Sequence, residues 1–191
     1  MTKLPESAGA PGRIVVRRLL RSDAEAVGRA VAESLEHLRP WMAWIGDEPL
    51  DLEQRTAFLA ARERDWADGG DVMMGVFADG VLVGGAGLHR RIGPEGLEIG
   101  YWIHVDHTRR GLATEAARLL VDAAFTVPGI TRVEIHHDRA NVASRGVPAR
   151  LGFRLVEVVP ATPAAPADEG IECRWRIERD EWEAGRCKSP A

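Results

Sequence analysis

The sequence predicts a mixed α/β fold of the α+β kind, with about seven strands in one central sheet flanked by about four helices. Three observations lead there. Short runs rich in Val, Ile and Leu alternate with longer runs of helical period. The stretch VMMGVFADGVLVGGAGLHR (72–90) carries Asp79-Gly80 between two apolar halves, the mark of a tight hairpin. A length of 191 residues, 45% hydrophobic and 28% charged, suffices for one sizeable core.

Taken in order, residues 1–11 lack the apolar stretch of a secretory signal and are expected to form a flexible tail. RIVVRRLL (13–20) alternates as a first strand. A helix follows over 22–38, with Ser22 and Glu25 spaced as a capping box and Val27, Val31 and Leu35 forming one stripe. Pro40 ends it, and 41–50 reads as a Trp-rich loop. DLEQRTAFLAARERDWADG (51–69) is a second helix, stopped by Gly69 and Gly70. After the hairpin, LEIGYWIHV (97–105) is a strand, and 111–127 a helix burying Leu112, Ala116, Leu119, Leu120 and Ala123. RVEIHH (132–137) is a strand and NVASRGVPARLGF (141–153) a shorter helical piece. RLVEVV (154–159) and IECRWRIER (171–179) form a closing strand pair around a Pro/Ala-rich loop. The expected organisation is one domain over 12–184, with tails at 1–11 and 185–191.

The net charge of −4 argues against nucleic-acid binding driven by bulk charge, and lysine occurs only at Lys3 and Lys188. Two cysteines, Cys173 and Cys187, form no CxxC pair, which fits a reducing cytoplasm and provides no metal site. His136, His137 and Asp138 end a strand, but adjacent strand residues face opposite sides and cannot easily share an ion. No apolar run is long enough to span a bilayer. The expectation is a soluble cytoplasmic protein without a metal.

HTRRGLATEA (107–116) joins a strand to a helix and carries two arginines and a glycine. A helix starting near Gly111 offers main-chain N–H groups without intrahelical partners, a natural seat for phosphate. Arg109 and Arg110 can add charge at the rim, and Ala113 keeps the approach narrow-sided. The plainer alternative is a strand-to-helix turn with solvated arginines. Neither G-x-G-x-x-G nor G-x-x-x-x-G-K-[ST] is present.

EIGYWIHVDHTRRGLATEA followed by NVASRGVPARLGF resembles the GNAT superfamily of N-acetyltransferases. The resemblance is closest to the branch that holds the ribosomal-protein alanine acetyltransferases RimJ and RimL. It covers roughly residues 13–183 and includes SLEHLRPWMAW (34–44), similar to that branch's substrate-side loop. It implies the GNAT fold, acetyl-CoA or another acyl-CoA as co-substrate, and transfer to a peptide N-terminus or a small amine. The family's phosphate loop, [Q/R]-x-x-G-x-[G/A], aligns with Thr108, Arg109, Arg110, Gly111, Leu112 and Ala113, with Thr114 next; Thr108 departs from the pattern. The resemblance also implies that the strand edge near Ile103, His104 and Val105 pairs with the pantetheine arm, and it makes a homodimer an expectation.

Acyl transfer from a thioester needs a neutral amine. Deprotonating a lysine-like amine at pH 7 costs about 4.6 kcal/mol, and an α-amine about 1.4 kcal/mol. Glu98, sharing a strand face with Gly100, Trp102 and His104, is the candidate base; the alternative is a carboxylate paired with an arginine. His104 and His107 are weaker candidates. Asn141 and Ser144 match the family's N-x-x-S: Asn141 as an amide contact to pantetheine and Ser144 as proton donor to the thiolate, or both as helix caps alone. Pro148 cannot donate to the carbonyl of Ser144, so a break in that helix is expected. Trp41, Trp44, Tyr101 and Trp102 are candidates for the acceptor pocket, or for the core. Beside the enzyme stands a second reading, a CoA-binding sensor or degenerate scaffold without turnover.

Overall fold

Asp79 and Gly80 adopt φ of 49° and 80°, the left-handed pair that a two-residue hairpin turn requires. Around them β3 (Val72–Ala78) and β4 (Val81–His89) pair antiparallel. This is a computed structural model of the chain and describes residues 2–8 and 14–186. The other strands are β1 (Ser7–Ala8), β2 (Ile14–Arg18), β5 (Gly96–Ile103), β6 (Arg132–Asp138), β7 (Arg154–Pro160) and β8 (Ile171–Glu178). Among the described residues they form one sheet in the order β1-β2-β3-β4-β5-β6-β8-β7, antiparallel except at β5–β6. The helices are α1 (Ala24–Leu38), α2 (Leu52–Ala67), α3 (Leu112–Ala124), α4 (Val142–Arg150) and α5 (Arg179–Arg186).

Strand alternation divides the core into two layers. One face of the sheet presents Val16, Met74, Leu97, Ile99 and Ile135 to α3, whose Leu112, Ala116, Leu119, Leu120 and Ala123 are all buried as the stripe predicts. The other face packs Phe77 and Leu82 against Val27, Val31 and Leu38 of α1 and Leu59 of α2. The sheet between them is therefore covered on both sides wherever a helix lies.

Several expectations are corrected. The strands number eight and the helices five among the described residues, against about seven and four expected. The expected tail is partly structured: Leu4 is 1% exposed, its carbonyl accepts from Trp66 Nε1 at 2.8 Å, and Ser7–Ala8 pair with β2. Residues 9–11 of that tail, Arg13 of the first strand and Cys187 lie outside the described residues. Ser22 does not cap α1. Asp23 instead accepts from Leu20 N–H at 2.8 Å and pairs with Arg17, closing a short 3₁₀ turn ahead of the helix. Asp51 and Gln54 form the capping box that starts α2. The helix α5, unexpected from sequence, docks on α3 through Trp182 Nε1 donating to Asp122 at 2.8 Å. The helix α4 runs through Pro148 without a break.

Candidate active site

Strands β5 and β6 are parallel and paired only at Gly96–Arg132, Leu97–Val133 and Glu98–Glu134. Beyond Glu98, β5 stays with β4 up to Ile103 while β6 stays with β8 to Asp138, so the two strands part. The sheet opens as a wedge toward their C-terminal ends, where ligands enter parallel sheets. Two helices begin at that end, α3 after β5 and α4 after β6.

The α3 end leaves its first main-chain donors uncapped by any side chain. Gly111 is the N-cap with φ of 79°, and Arg109 before it has φ of 57°. The first intrahelical bond runs from Glu115 N–H to Gly111 O at 3.0 Å, so the N–H groups of Leu112, Ala113 and Thr114 precede the ladder. A Cβ placed on Gly111 would meet nothing within 4 Å, so the approach is open. Thr108 Oγ1 donates to Val105 O at 3.1 Å and so holds the turn together. Arg110 donates to Asp106 O at 2.9 Å, and Arg109 is exposed.

On β5, His104 N–H donates to Val83 O at 2.9 Å. Main-chain groups alternate along a strand, so Tyr101 and Ile103 direct theirs to the open side of the wedge. Of the expected edge at Ile103, His104 and Val105, Ile103 keeps its main chain toward the wedge, and His104 and Val105 do not. The chain leaves the strand at His104, and Val105 N–H donates to Ser34 Oγ at 3.2 Å. The His104 ring is engaged too, with Nε2 2.9 Å from Glu33 and Nδ1 accepting from Asp106 N–H.

At α4, the Asn141 side chain accepts from Ser144 N–H at 3.0 Å, a helix cap. The Tyr101 hydroxyl lies 3.0 Å from Ser144 Oγ and donates to Ser144 O at 3.2 Å. Pro148 explains that second bond: it removes the main-chain donor due to the Ser144 carbonyl, and the tyrosine takes its place. Burial pushes the Tyr101 pKa up to about 12, against the weaker opposing effect of Ser144, so the hydroxyl stays protonated at working pH.

Two cavities meet at Gly100 and Tyr101. One, of about 340 Å³, lies in the wedge between Glu98, Tyr101, Asn141 and Ser144, with Trp41 at its wall. The other, of about 390 Å³, lies on the α1–α2 side and is walled by Val31, Trp44, Phe58 and Trp102. The rings of Trp44 and Trp102 meet at 6.1 Å. Trp44, Tyr101 and Trp102 are thus brought together, and Trp41 stands apart in the wedge. The side chains of Glu48 and Arg55, each 5% exposed, pair at 2.6 Å in the apolar chamber wall.

Glu98 takes the arginine-paired alternative. Arg91 Nε donates to Oε2 at 2.7 Å and its terminal nitrogen to Oε1, while His136 Nδ1 stands 3.5 Å away. With each oxygen accepting from one guanidinium, Glu98 is an ion-paired carboxylate, the second of the two roles weighed for it. His136 bonds Glu134 at 2.6 Å. His137 accepts from Trp175 Nε1 at 3.0 Å and donates to Asp138 O, and burial lowers its pKa. Among the described residues no cluster of His, Cys, Asp or Glu could hold a metal ion.

Sequence reasoning missed Arg91, the Glu48–Arg55 pair, and a contact between Asp71 and His89. Nδ1 of His89 lies 2.8 Å from Asp71 Oδ2, and Arg90 N–H donates to Oδ1 at 2.8 Å. The one available signal is parity: His89 shares a strand face with Gly85 and Gly87, which leaves the ring above a bare floor.

An open strand edge beside a helix N-terminus without a side-chain cap, with a serine at a second helix start, defines an α/β fold with a cleft at the open end of its sheet. Residues 13–154 match the family described as acetyltransferase (GNAT) domain. The chain belongs to that family and is a GNAT-type N-acetyltransferase. YdaF of Bacillus subtilis (strain 168), provisionally named as a ribosomal N-acetyltransferase, is 30% identical over 142 residues, 73% of this chain and 77% of its own. RimL, the ribosomal L7/L12 α-N-protein acetyltransferase solved with coenzyme A, shares the fold with a TM-score of 0.83 at 18% identity, over 92% of this chain and 99% of its own. Mycobacterium smegmatis RimJ, solved with a CoA disulfide, shares it with a TM-score of 0.79 at 22% identity, over 94% and 88%.

Proposed function

We propose that this acetyltransferase moves an acetyl group from acetyl-CoA directly to a primary amine, either a peptide N-terminus or a small amine with an apolar body. The observation that carries the reading is the wedge between β5 and β6 with two helix N-termini at its mouth. The N–H groups of Leu112, Ala113 and Thr114 suit the pyrophosphate, with Arg109 and Arg110 adding charge from the rim. The free edge at Tyr101 and Ile103 suits the amide-bearing pantetheine, much as a strand takes a peptide. Asn141 stands where an arm lying in the wedge would pass.

One of those strand N–H groups polarises the thioester carbonyl, and holding thioester and amine together supplies much of the rate. Ser144, bonded to a tyrosine that stays neutral, is placed to hand a proton to the departing thiolate. The amine enters from the apolar chamber. Of the two acids in its lining, Glu48 is already paired by Arg55 and Asp47 is exposed, which favours an apolar acceptor over a polyamine.

Thiol release from acetyl-CoA over a panel of peptide N-termini and small amines tests the reaction. Gly111→Asp tests the placement of the phosphates. Aspartate tolerates the left-handed backbone better than most residues, and its Cβ has room here. The fold is expected to survive by circular dichroism while CoA affinity falls more than tenfold, about 1.4 kcal/mol, from an anion set against the phosphates. Unchanged affinity would place the cofactor elsewhere.

A further inference from the structure

The charged groups around the floor of the apolar chamber are few. Asp47, the Glu48–Arg55 pair and Arg91, which follows β4, line it, while Asp71 ahead of β3 and Glu98 of β5 stand behind the lining and bond His89 and Arg91. His89, at the end of β4, is the titratable ring among them. An ionised carboxylate only accepts, so Nδ1 of His89 must carry the proton in the 2.8 Å contact with Asp71. In the neutral ring Nε2 then keeps its lone pair.

That lone pair faces the floor. Gly85, Gly87 and Gly100 present no side chains on this face, and the ring fills part of the space they leave. A Cβ built on Gly87 would sit 3.0 Å from His89 Nε2, and one built on Gly100 3.3 Å. Gly100 is also where this chamber meets the wedge that holds Ser144. Burial works against the charge of Asp71, but the Arg90 N–H and the His89 ring outweigh it and hold the carboxyl below its usual range. The carboxylate therefore keeps fixing the ring through the neutral pH range.

We propose that His89 is the proton acceptor for the incoming amine, with Asp71 as the residue that positions it. This rests on the acetyltransferase reading above. The ammonium group gives one proton to Nε2 of His89. The freed nitrogen lone pair forms the C–N bond, the C–S bond breaks, and the thiolate leaves with its electron pair. The thiolate gains a proton from Ser144. The amide nitrogen loses its second proton as the intermediate collapses, which restores Ser144, and His89 returns its own proton to solvent.

Two measurements test this. The first needs no substrate: nitrogen-detected NMR of the His89 ring in alkaline buffer should show the Nδ1–H tautomer, and should lose it in Asp71→Asn. A ring with its proton on Nε2 would overturn the proposal. The second uses His89→Gln with acetyl-CoA and a series of primary amines of falling pKa. For amines that are mostly protonated at the assay pH, kcat should fall about 100-fold or more with CoA affinity unchanged. The deficit should shrink for amines already neutral, and the acidic limb of the kcat/KM profile should move. A deficit equal across the series, or full activity in His89→Gln, would overturn the role of His89 alone. Absence of thiol release by the unmodified protein with every amine would overturn the transfer reading together with it.

Discussion

Tyr101 is the chain's single tyrosine, so tyrosinate absorbance reports one group. Its hydroxyl is expected to ionise near 12 in the folded protein, against about 10 for a solvated phenol. Because the folded pKa is the higher, this residue's stabilising effect is complete below pH 10 and is lost as pH climbs through about 12. A titration near 10 would contradict its burial against Ser144. The same hydroxyl stands in for the N–H that Pro148 lacks. Tyr101→Phe should therefore cost about 1–2 kcal/mol in urea denaturation, and clearly less in a Pro148→Ala background, where the main chain regains the missing donor. Strictly additive effects would refute the link. Spacing alone foretold that Pro148 strips a donor from Ser144. It could not foretell that a residue 43 positions away in sequence would replace that donor.

The junction of β6, α4 and the 161–170 loop is held by one carboxylate. Asp138 accepts from the N–H groups of Ala140, Glu169, Gly170 and Ile171 at 2.9 to 3.1 Å. Burial works against its charge, but these donors prevail and keep the carboxyl below its ordinary range. A depressed folded pKa means the stabilisation is present above the unfolded value, near 3.9, and fades as pH falls through the folded one. Asp138→Asn should lower stability by about 1–2 kcal/mol at pH 7, and the gap from the unmodified protein should close in acid. A gap constant down to pH 2 would show that the hydrogen-bond count, not the charge, matters. The loop's composition marked it as irregular, but nothing local revealed the residue that fastens it. Asp138 drew attention only as a possible metal neighbour.

At the scale of the molecule, the first residues complete the sheet. Leu4 is 1% exposed against the α3 layer, and Arg90 donates to Thr2 O at 2.7 Å. Leu4→Ala is expected to cost about 2–5 kcal/mol in urea denaturation, the range for emptying a buried leucine site. A cost under about 0.5 kcal/mol would mean the segment is dispensable. At the opposite edge, Arg179 reaches Ile130 O at 3.1 Å and Phe125 O, tying α5 to the connection between α3 and β6. Sequence patterning passed over both ends because each is too short for a period to show. Their order comes from partners far along the chain.

The sequence by itself determined the alternation of strands and helices, the hairpin at Asp79-Gly80, the buried stripe of α3 and the glycine turn that opens it at Gly111. Each is written in neighbours a few residues apart, where period, turn chemistry and capping act. Only the tertiary structure decided that Glu98 is held by Arg91, that Tyr101 meets Ser144, and that Asp71 fixes the ring of His89 over three glycines. Those pairings depend on which strands lie side by side and where two of them part. Such juxtaposition is set by the packing of the whole core, so no local pattern records it.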